Sequence, residues 1–224
     1  YKNVDSVRRA VNNLNIQIQK GQFIVVLGHN GSGKSTFAKH LNAIFIPTSG
    51  TVLIDGLDSK DDDKVFEIRQ KCGMVFQNPD NQIVATVVED DVAFGPENMG
   101  VLFQEIRKRV DDALAVVRMS EFATKAPHLL SGGQKQKVAI AGIIAMKPDC
   151  IILDESTSML DPRGRKEVMS TVKKLNKEEN ITLIHITHFM EEAVDADYIY
   201  VMEEGEIVLE GTPKEVFVNV EQLQ

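Results

Sequence analysis

Only two cysteines, Cys72 and Cys150, occur in 224 residues, too few for a disulfide framework. Cys150 opens the apolar run CIILDE and reads as a buried core thiol. No apolar stretch approaches the roughly twenty residues that cross a bilayer. Nor does any segment have the charged-then-apolar build of a signal peptide, so the expected setting is reduced and cytosolic. A basic excess is also lacking. The formal net charge is −8, which weighs against a nucleic-acid binder. Internal repeats and low-complexity tracts are absent as well. What the chain does have is core: 43% of its residues are hydrophobic, ample for one large domain or a domain with a subdomain. It starts at Tyr1 rather than methionine, as a piece of a longer protein would.

Strand-like and helix-like segments alternate along the chain. FIVVLG (23–28) is a short apolar run ending in glycine, as a buried parallel strand does. GTVLIDG, GMVFQ, CIILD and ITLIHIT read as further strands, and YIYVMEEGEIVLEG as an antiparallel hairpin turning at Glu204-Gly205. Helices are expected after residue 33, over 134–146, near 163–179 and at FMEEAVDA. From Thr86 to about Thr124 the strand signal fades. EIRKRVDDALAVVRMSEFA is instead amphipathic, with Ile106, Val110, Ala113, Leu114 and Val117 on one face. The expected architecture is an α/β core with a helical insertion between about residues 86 and 140.

GHNGSGKST (28–36) follows an apolar strand and enters a helix, the context in which G-x-x-x-x-G-K-[ST] binds phosphate. Gly28, Gly31 and Gly33 permit a loop whose N–H groups point inward. Asn30, Ser32 and Thr36 complete the nucleotide-binding segment. Lys34 reaches the β- and γ-phosphates, and Ser35 offers a hydroxyl to Mg²⁺. CIILDE supplies two carboxylates at the end of a buried strand, where α/β sheets bind ligands. Asp154 would hold Mg²⁺ through water, and Glu155 would orient or deprotonate the attacking water. These two motifs alone leave a small-molecule kinase open. A second anion-binding helix start stands at LSGGQ (130–134): Ser131 can cap, Gly132 and Gly133 allow close approach, and the helix dipole is positive there.

GHNGSGKST, Gln77 after a strand, LSGGQ, ILDE, SMLD (158–161) and His188 in HITH occur in the order found in ATP-binding cassette ATPases, and the chain resembles that family along essentially its whole length. FQNPDNQ, VEDDVAFGPEN and DESTSMLDPRGR resemble the branch of energy-coupling factor transporters, which includes cobalt and nickel importers. A departure is LDEST, where many members have LDEPT; Ser156 lies outside the reacting groups.

The resemblance implies a P-loop NTPase core of RecA-like form over 1–85 and 141–224, a helical subdomain over 86–140, and an antiparallel β portion. It also implies a strand before Tyr1 and a helical region after Gln224. It implies a head-to-tail pair of ATPase subunits, identical or paralogous, with ATP and Mg²⁺ at each composite site. Ser131, Gly132, Gly133 and Gln134 would then face a nucleotide held by the other chain. Gln77 would touch Mg²⁺ and the attacking water, His188 the γ-phosphate, and Asp161 would cross the interface. Tyr1 matches the position of an aromatic that stacks on adenine, although a terminal residue can equally be unordered. The implied activity is ATP hydrolysis at the cytoplasmic face of the membrane, as a peripheral subunit. It would drive uptake of a vitamin or transition-metal ion through a transmembrane coupling subunit, contacted by Asn78–Gln82, and a substrate-binding membrane subunit. No nucleic acid partner is expected. A nucleic-acid-associated ATPase of the same superfamily is the competing reading; it would carry a coiled coil, zinc cysteines or a basic face.

Overall fold

The computed structural model describes residues 9–219 and, ahead of them, the backbone of Lys2–Asn3 (β1) and Ser6–Val7 (β2), an antiparallel pair. Six strands form the main sheet. In spatial order they are Glu206–Gly211 (β10), Tyr198–Glu203 (β9), Phe23–Leu27 (β3), Thr182–Ile186 (β8), Cys150–Asp154 (β7) and Cys72–Val75 (β6). Neighbours run parallel except β10, which returns antiparallel on β9.

The central strands are buried along their length, which explains their near-continuous apolar sequences. Alternate side chains serve opposite faces. Val25, Leu27, Ile151, Leu153 and Leu183 share a core with Gly132–Ala145 (α5) and Pro162–Glu179 (α6). Val26, Ile152, Ile184 and Ile186 join Phe37 and Ala38 of Lys34–Leu41 (α1) on the other side.

The insertion consists of Val88–Asn98 (α3), Phe103–Val116 (α4) and the start of α5. Val88 and Val92 of α3 meet Ile106, Val110, Ala113 and Leu114 of α4 in the same core that covers the sheet. The strand signal lapsed after Thr86 because α3 begins there. α5 runs unbroken past residue 140 to Ala145, so a boundary at 140 falls inside a helix.

Two expectations are corrected. FMEEAVDA holds a single 3-10 turn, Met190–Glu192, rather than a helix. Its Glu192 carboxylate turns inward to three buried donors, which ends the helical path before β9 starts. GTVLIDG is extended only at Leu53–Ile54 (β4), a shorter strand than the pattern suggested, and it pairs antiparallel with Leu57–Asp58 (β5) just beyond the segment. Asp55 and Gly56 between them take φ of 51° and 80°, the left-handed pair that closes a two-residue hairpin. Val65–Lys71 (α2) and Pro213–Val218 (α7) are further helices among the described residues, and the pattern left them unmarked.

The sheet's register positions the chemistry. Val26 lies opposite Ile186, Asp154 opposite Ile186, and Val75 opposite Leu153. The chain therefore leaves β3, β8, β7 and β6 at one common edge. The four exits carry GHNGSGKST, His188, Glu155 and Gln77.

Candidate functional site

The phosphate loop departs from β3 at Gly28 and enters α1 at Gly33. Gly33 has φ of 102°, and a Cβ there would collide with the Ala10 carbonyl, so two independent constraints require glycine. The loop is backed from outside: the Gly205 N–H in the β9–β10 turn donates to Ser32 O at 2.9 Å, and the Asn12 N–H donates to Gly205 O at 2.8 Å.

Lys34 is 3% exposed and its ammonium curls back into the loop. Nζ donates to Gly28 O at 2.8 Å and His29 O at 2.9 Å, and stands 3.6 Å from Glu155 Oε1. Burial pushes its pKa below the usual lysine value, against the pull of the Glu155 and Asp154 charges. At the next residue of α1, Ser35 Oγ donates to Asp154 Oδ1 at 2.7 Å. Burial raises the Asp154 pKa, the Ser35 hydrogen bond opposes the rise, and the neighbouring Glu155 charge adds to it.

These groups fit a nucleotide and its metal. Ser35 Oγ and Asp154 Oδ1 are a pair of hard oxygens at one point, the donor type a divalent cation selects. Ser32 Oγ is buried without a hydrogen-bond partner, and it sits in the loop where phosphate oxygens would lie. The Lys34 ammonium, held by loop carbonyls, has donors to transfer to an entering anion.

Glu155 takes φ of 48°, while its N–H donates to Ile186 O at 3.0 Å. The left-handed turn swings its carboxylate off the strand toward Gln77, whose Nε2 donates to Glu155 Oε2 and to Ser158 Oγ, each at 3.2 Å. Ser158 Oγ in turn donates to Glu155 O at 2.7 Å. Lys34, Ser35, Asp154, Glu155 and Gln77 thus form one connected cluster, although they lie up to 121 positions apart. Ser158 belongs to that cluster and was not expected; only its place three residues after Glu155 hinted at it.

His188 follows β8 at the same edge and is exposed. Its ring lies 4.1 Å from that of Phe189, whose centre is 4.0 Å from the Arg165 guanidinium. Asn30 is exposed and Thr36 is half-buried, with Thr36 O accepting from His40 Nδ1 at 2.7 Å. Tyr1 lies outside the described residues.

LSGGQ stands apart. Ser131 caps α5: its Oγ accepts the Gln134 N–H at 3.3 Å while Gln134 Oε1 accepts the Ser131 N–H at 2.9 Å. Gln134 therefore has a local task that the spacing S-x-x-Q already encodes. A Cβ added to Gly132 would meet no atom within 4 Å. Among the described residues no hydrogen bond joins Ser131–Gln134 to the phosphate loop. Asp161 is likewise local within this chain, capping α6 by accepting the Gly164 N–H at 3.1 Å. Asn78 caps the 3-10 turn Pro79–Asn81, Asp80 pairs with Lys135 of α5 at 2.6 Å, and Gln82 Oε1 accepts the Phe76 N–H at 3.1 Å.

The family model described as "ABC transporter" matches residues 11–158. The energy-coupling factor transporter ATP-binding protein EcfA1 of Clostridioides difficile (strain 630) is 62% identical over 216 residues, covering 96% of this chain and 78% of that protein. The EcfA1 of Clostridium novyi (strain NT) is 64% identical over 211 residues, covering 94% and 75%. Among solved structures, cbiO1 from Clostridium perfringens, part of the ABC transporter complex cbiONQ, superposes with a TM-score of 0.88 at 40% identity. The superposition covers 99% of this chain and 89% of cbiO1. The ATP-binding cassette MJ0796, as a dimer in a post-hydrolysis state with ADP and Pi, gives 0.87 at 33% identity over 95% of this chain and 94% of its own.

Proposed function

Because the chain belongs to the ABC transporter family and is an ATPase of that family, we propose that it powers an energy-coupling factor importer for a vitamin or transition-metal ion. The observation that carries this reading is the cluster at the sheet edge. A phosphate loop, a Ser35–Asp154 oxygen pair and a Glu155–Gln77 pair converge on one volume from three strands.

Each residue then has a task. The Lys34 ammonium releases the Gly28 and His29 carbonyls and takes up β- and γ-phosphate oxygens. Ser35 Oγ and, through water, Asp154 would hold Mg²⁺, with Gln77 beside them, and the ion would supply charge neutralisation at the phosphates. Glu155 accepts a proton from the attacking water or orients it, and Gln77 holds Glu155 in place meanwhile. His188, exposed at the end of β8, reaches the γ-phosphate. Asn30–Gly33 and Thr36 line the rest of the phosphate loop.

LSGGQ and Asp161 act across a head-to-tail dimer, on a partner ATPase that is identical or paralogous. The support within this chain is negative space: Ser131 and Gly132 are exposed, face open surroundings and make no bond to their own phosphate loop. Closure of the dimer around ATP and its reopening after hydrolysis would be transmitted to a transmembrane coupling subunit through Gln77 and the turn at Pro79–Asn81. A separate membrane subunit would select the cargo. No helix among the described residues is long and apolar enough to cross a membrane, and the proposed location is peripheral, on the cytoplasmic face.

The test is uptake by vesicles reconstituted with the full transporter. Uptake that requires ATP, Mg²⁺ and this subunit supports the proposal. Uptake that proceeds equally well without the subunit overturns it.

A further inference from the structure

Glu192 belongs to none of the motifs, yet its carboxylate is buried and is the meeting point of three segments. Its Oε2 accepts from Thr187 Oγ1 at 2.6 Å, His185 Nε2 at 2.7 Å and Thr157 Oγ1 at 3.1 Å. A carboxylate oxygen only accepts, so His185 carries its proton on Nε2. Burial pushes the Glu192 pKa up, but the hydrogen bonds from His185, Thr187 and Thr157 outweigh it, and the net position is below the usual carboxylate range.

The positions of these donors matter more than their number. Thr157 is two residues beyond Glu155, and Thr187 immediately precedes His188. The Thr187 hydroxyl also accepts the Phe189 N–H at 3.1 Å, which fixes the backbone beyond His188. For stability alone, a buried carboxylate gains little over well-packed apolar residues of similar volume. What it adds is direction, because one oxygen draws donors from β8 and from both loops to a single point.

We propose that Glu192 is a positioning residue for ATP hydrolysis. It locks the loop bearing Glu155 to the loop bearing His188, so that water-orienting carboxylate and γ-phosphate contact keep one fixed relation. The proposal rests on the ATPase reading of the site.

The test uses the full-length protein in its assembled dimer, with Thr157→Val, Thr187→Val, their combination, and Glu192→Ala. An angstrom-scale misplacement of reacting groups costs up to about a hundredfold, so each threonine variant should lower kcat about tenfold while KM for ATP stays within about twofold. Since both hydroxyls act through one oxygen, the double variant should be no slower than about the worse single one. Thr157→Ser and Thr187→Ser, which keep the hydroxyl, should restore turnover. In the nucleotide-free protein, amide hydrogen exchange should report the same lock: Thr157→Val should speed exchange at residues 188–190, and Thr187→Val at 156–158.

Losses that multiply in the double variant, serine variants as slow as the valines, or exchange confined to the mutated loop would each overturn the proposal. If Glu192→Ala does not fold, the threonine set and its serine controls still decide. A wild-type protein that hydrolyses no ATP would instead defeat the ATPase reading, while the exchange experiment would still judge the lock.

Discussion

Replacing Glu155 by glutamine separates nucleotide binding from hydrolysis, and the structure sets the size of both effects. Glutamine has the same length and the same cost at φ of 48°, and its Oε1 can still accept the Gln77 amide, so the loop keeps its path. The negative charge 3.6 Å from Lys34 Nζ is what disappears. At that separation the gross attraction is about 4–5 kcal/mol for an effective dielectric of 20. The burial of Lys34 outweighs that attraction, which is why its pKa is lowered rather than raised. With the Glu155 carboxylate gone, only the weaker pull of Asp154 competes with the γ-phosphate for Lys34. ATP should therefore bind as well or up to about fivefold more tightly, on the order of 1 kcal/mol. Hydrolysis should fall by about 10²–10⁴, the usual contribution of a positioned base, or roughly 3–5 kcal/mol in the barrier. Steady-state phosphate release and equilibrium binding of a fluorescent ATP analogue measure the two quantities on one preparation. Turnover within tenfold of wild type, or a Kd weakened tenfold, would refute the assignment of Glu155.

Asp154→Asn should raise the urea midpoint of the nucleotide-free protein at pH 7. The folded-state pKa of Asp154 is raised by burial, so its ionisation above that pKa opposes folding; the gain should shrink as pH falls toward the unfolded value, and a flat difference across pH 4–7 would contradict this. Combining Lys34→Ala with Gly132→Asp in a mixed dimer gathers both faults in one composite site and leaves the other intact. Hydrolysis should recover to about half of wild type per mixed dimer, and no recovery would sink the head-to-tail model. If the partner is a paralogue, the two faults are divided between the two genes. Asp80→Ala removes an exposed bridge to Lys135 worth less than about 1 kcal/mol. It should leave basal hydrolysis and thermal stability nearly unchanged while lowering vesicle uptake, and unaltered uptake would reduce Pro79–Asn81 to a surface turn.

The strands that carry the site were legible because burial on both faces writes them as unbroken apolar runs: CIILD coincides with β7 from end to end. The phosphate loop and the two carboxylates were legible for another reason, since their chemistry permits few residue types. Helix α3 was not, because VEDDVAFGPEN contains both glycine and proline and only Val88, Val92 and Pro96 face inward. FMEEAVDA failed in the opposite direction. Its spacing suits a helix, but no local rule shows that Glu192 will bury its carboxylate against Thr157, a residue 35 positions away. Ser158 and Glu192 share this property: each earns its place through a contact that only the folded sheet creates. The roles of Gln134 and Asp161 as caps were readable from S-x-x-Q and from Asp before Pro162, beside the intermolecular roles the resemblance implied.

The backing of the phosphate loop by Gly205 bears on how the chain comes off the ribosome. Strand β3 and its loop emerge early, but both neighbours of β3 in the sheet, β8 and β9, come from the last fifth of the sequence. At about 5–20 residues per second, roughly 170 residues and some 8–34 seconds separate Thr36 from Gly205. During that interval β3 is an apolar strand with two unpaired edges, and the Ser32 carbonyl lacks its partner. The phosphate loop is thus made well before the segments that complete it. Capture of ATP then doubles as a report that synthesis has passed residue 205, and a nascent chain stalled earlier presents an aggregation-prone edge instead of a binding site.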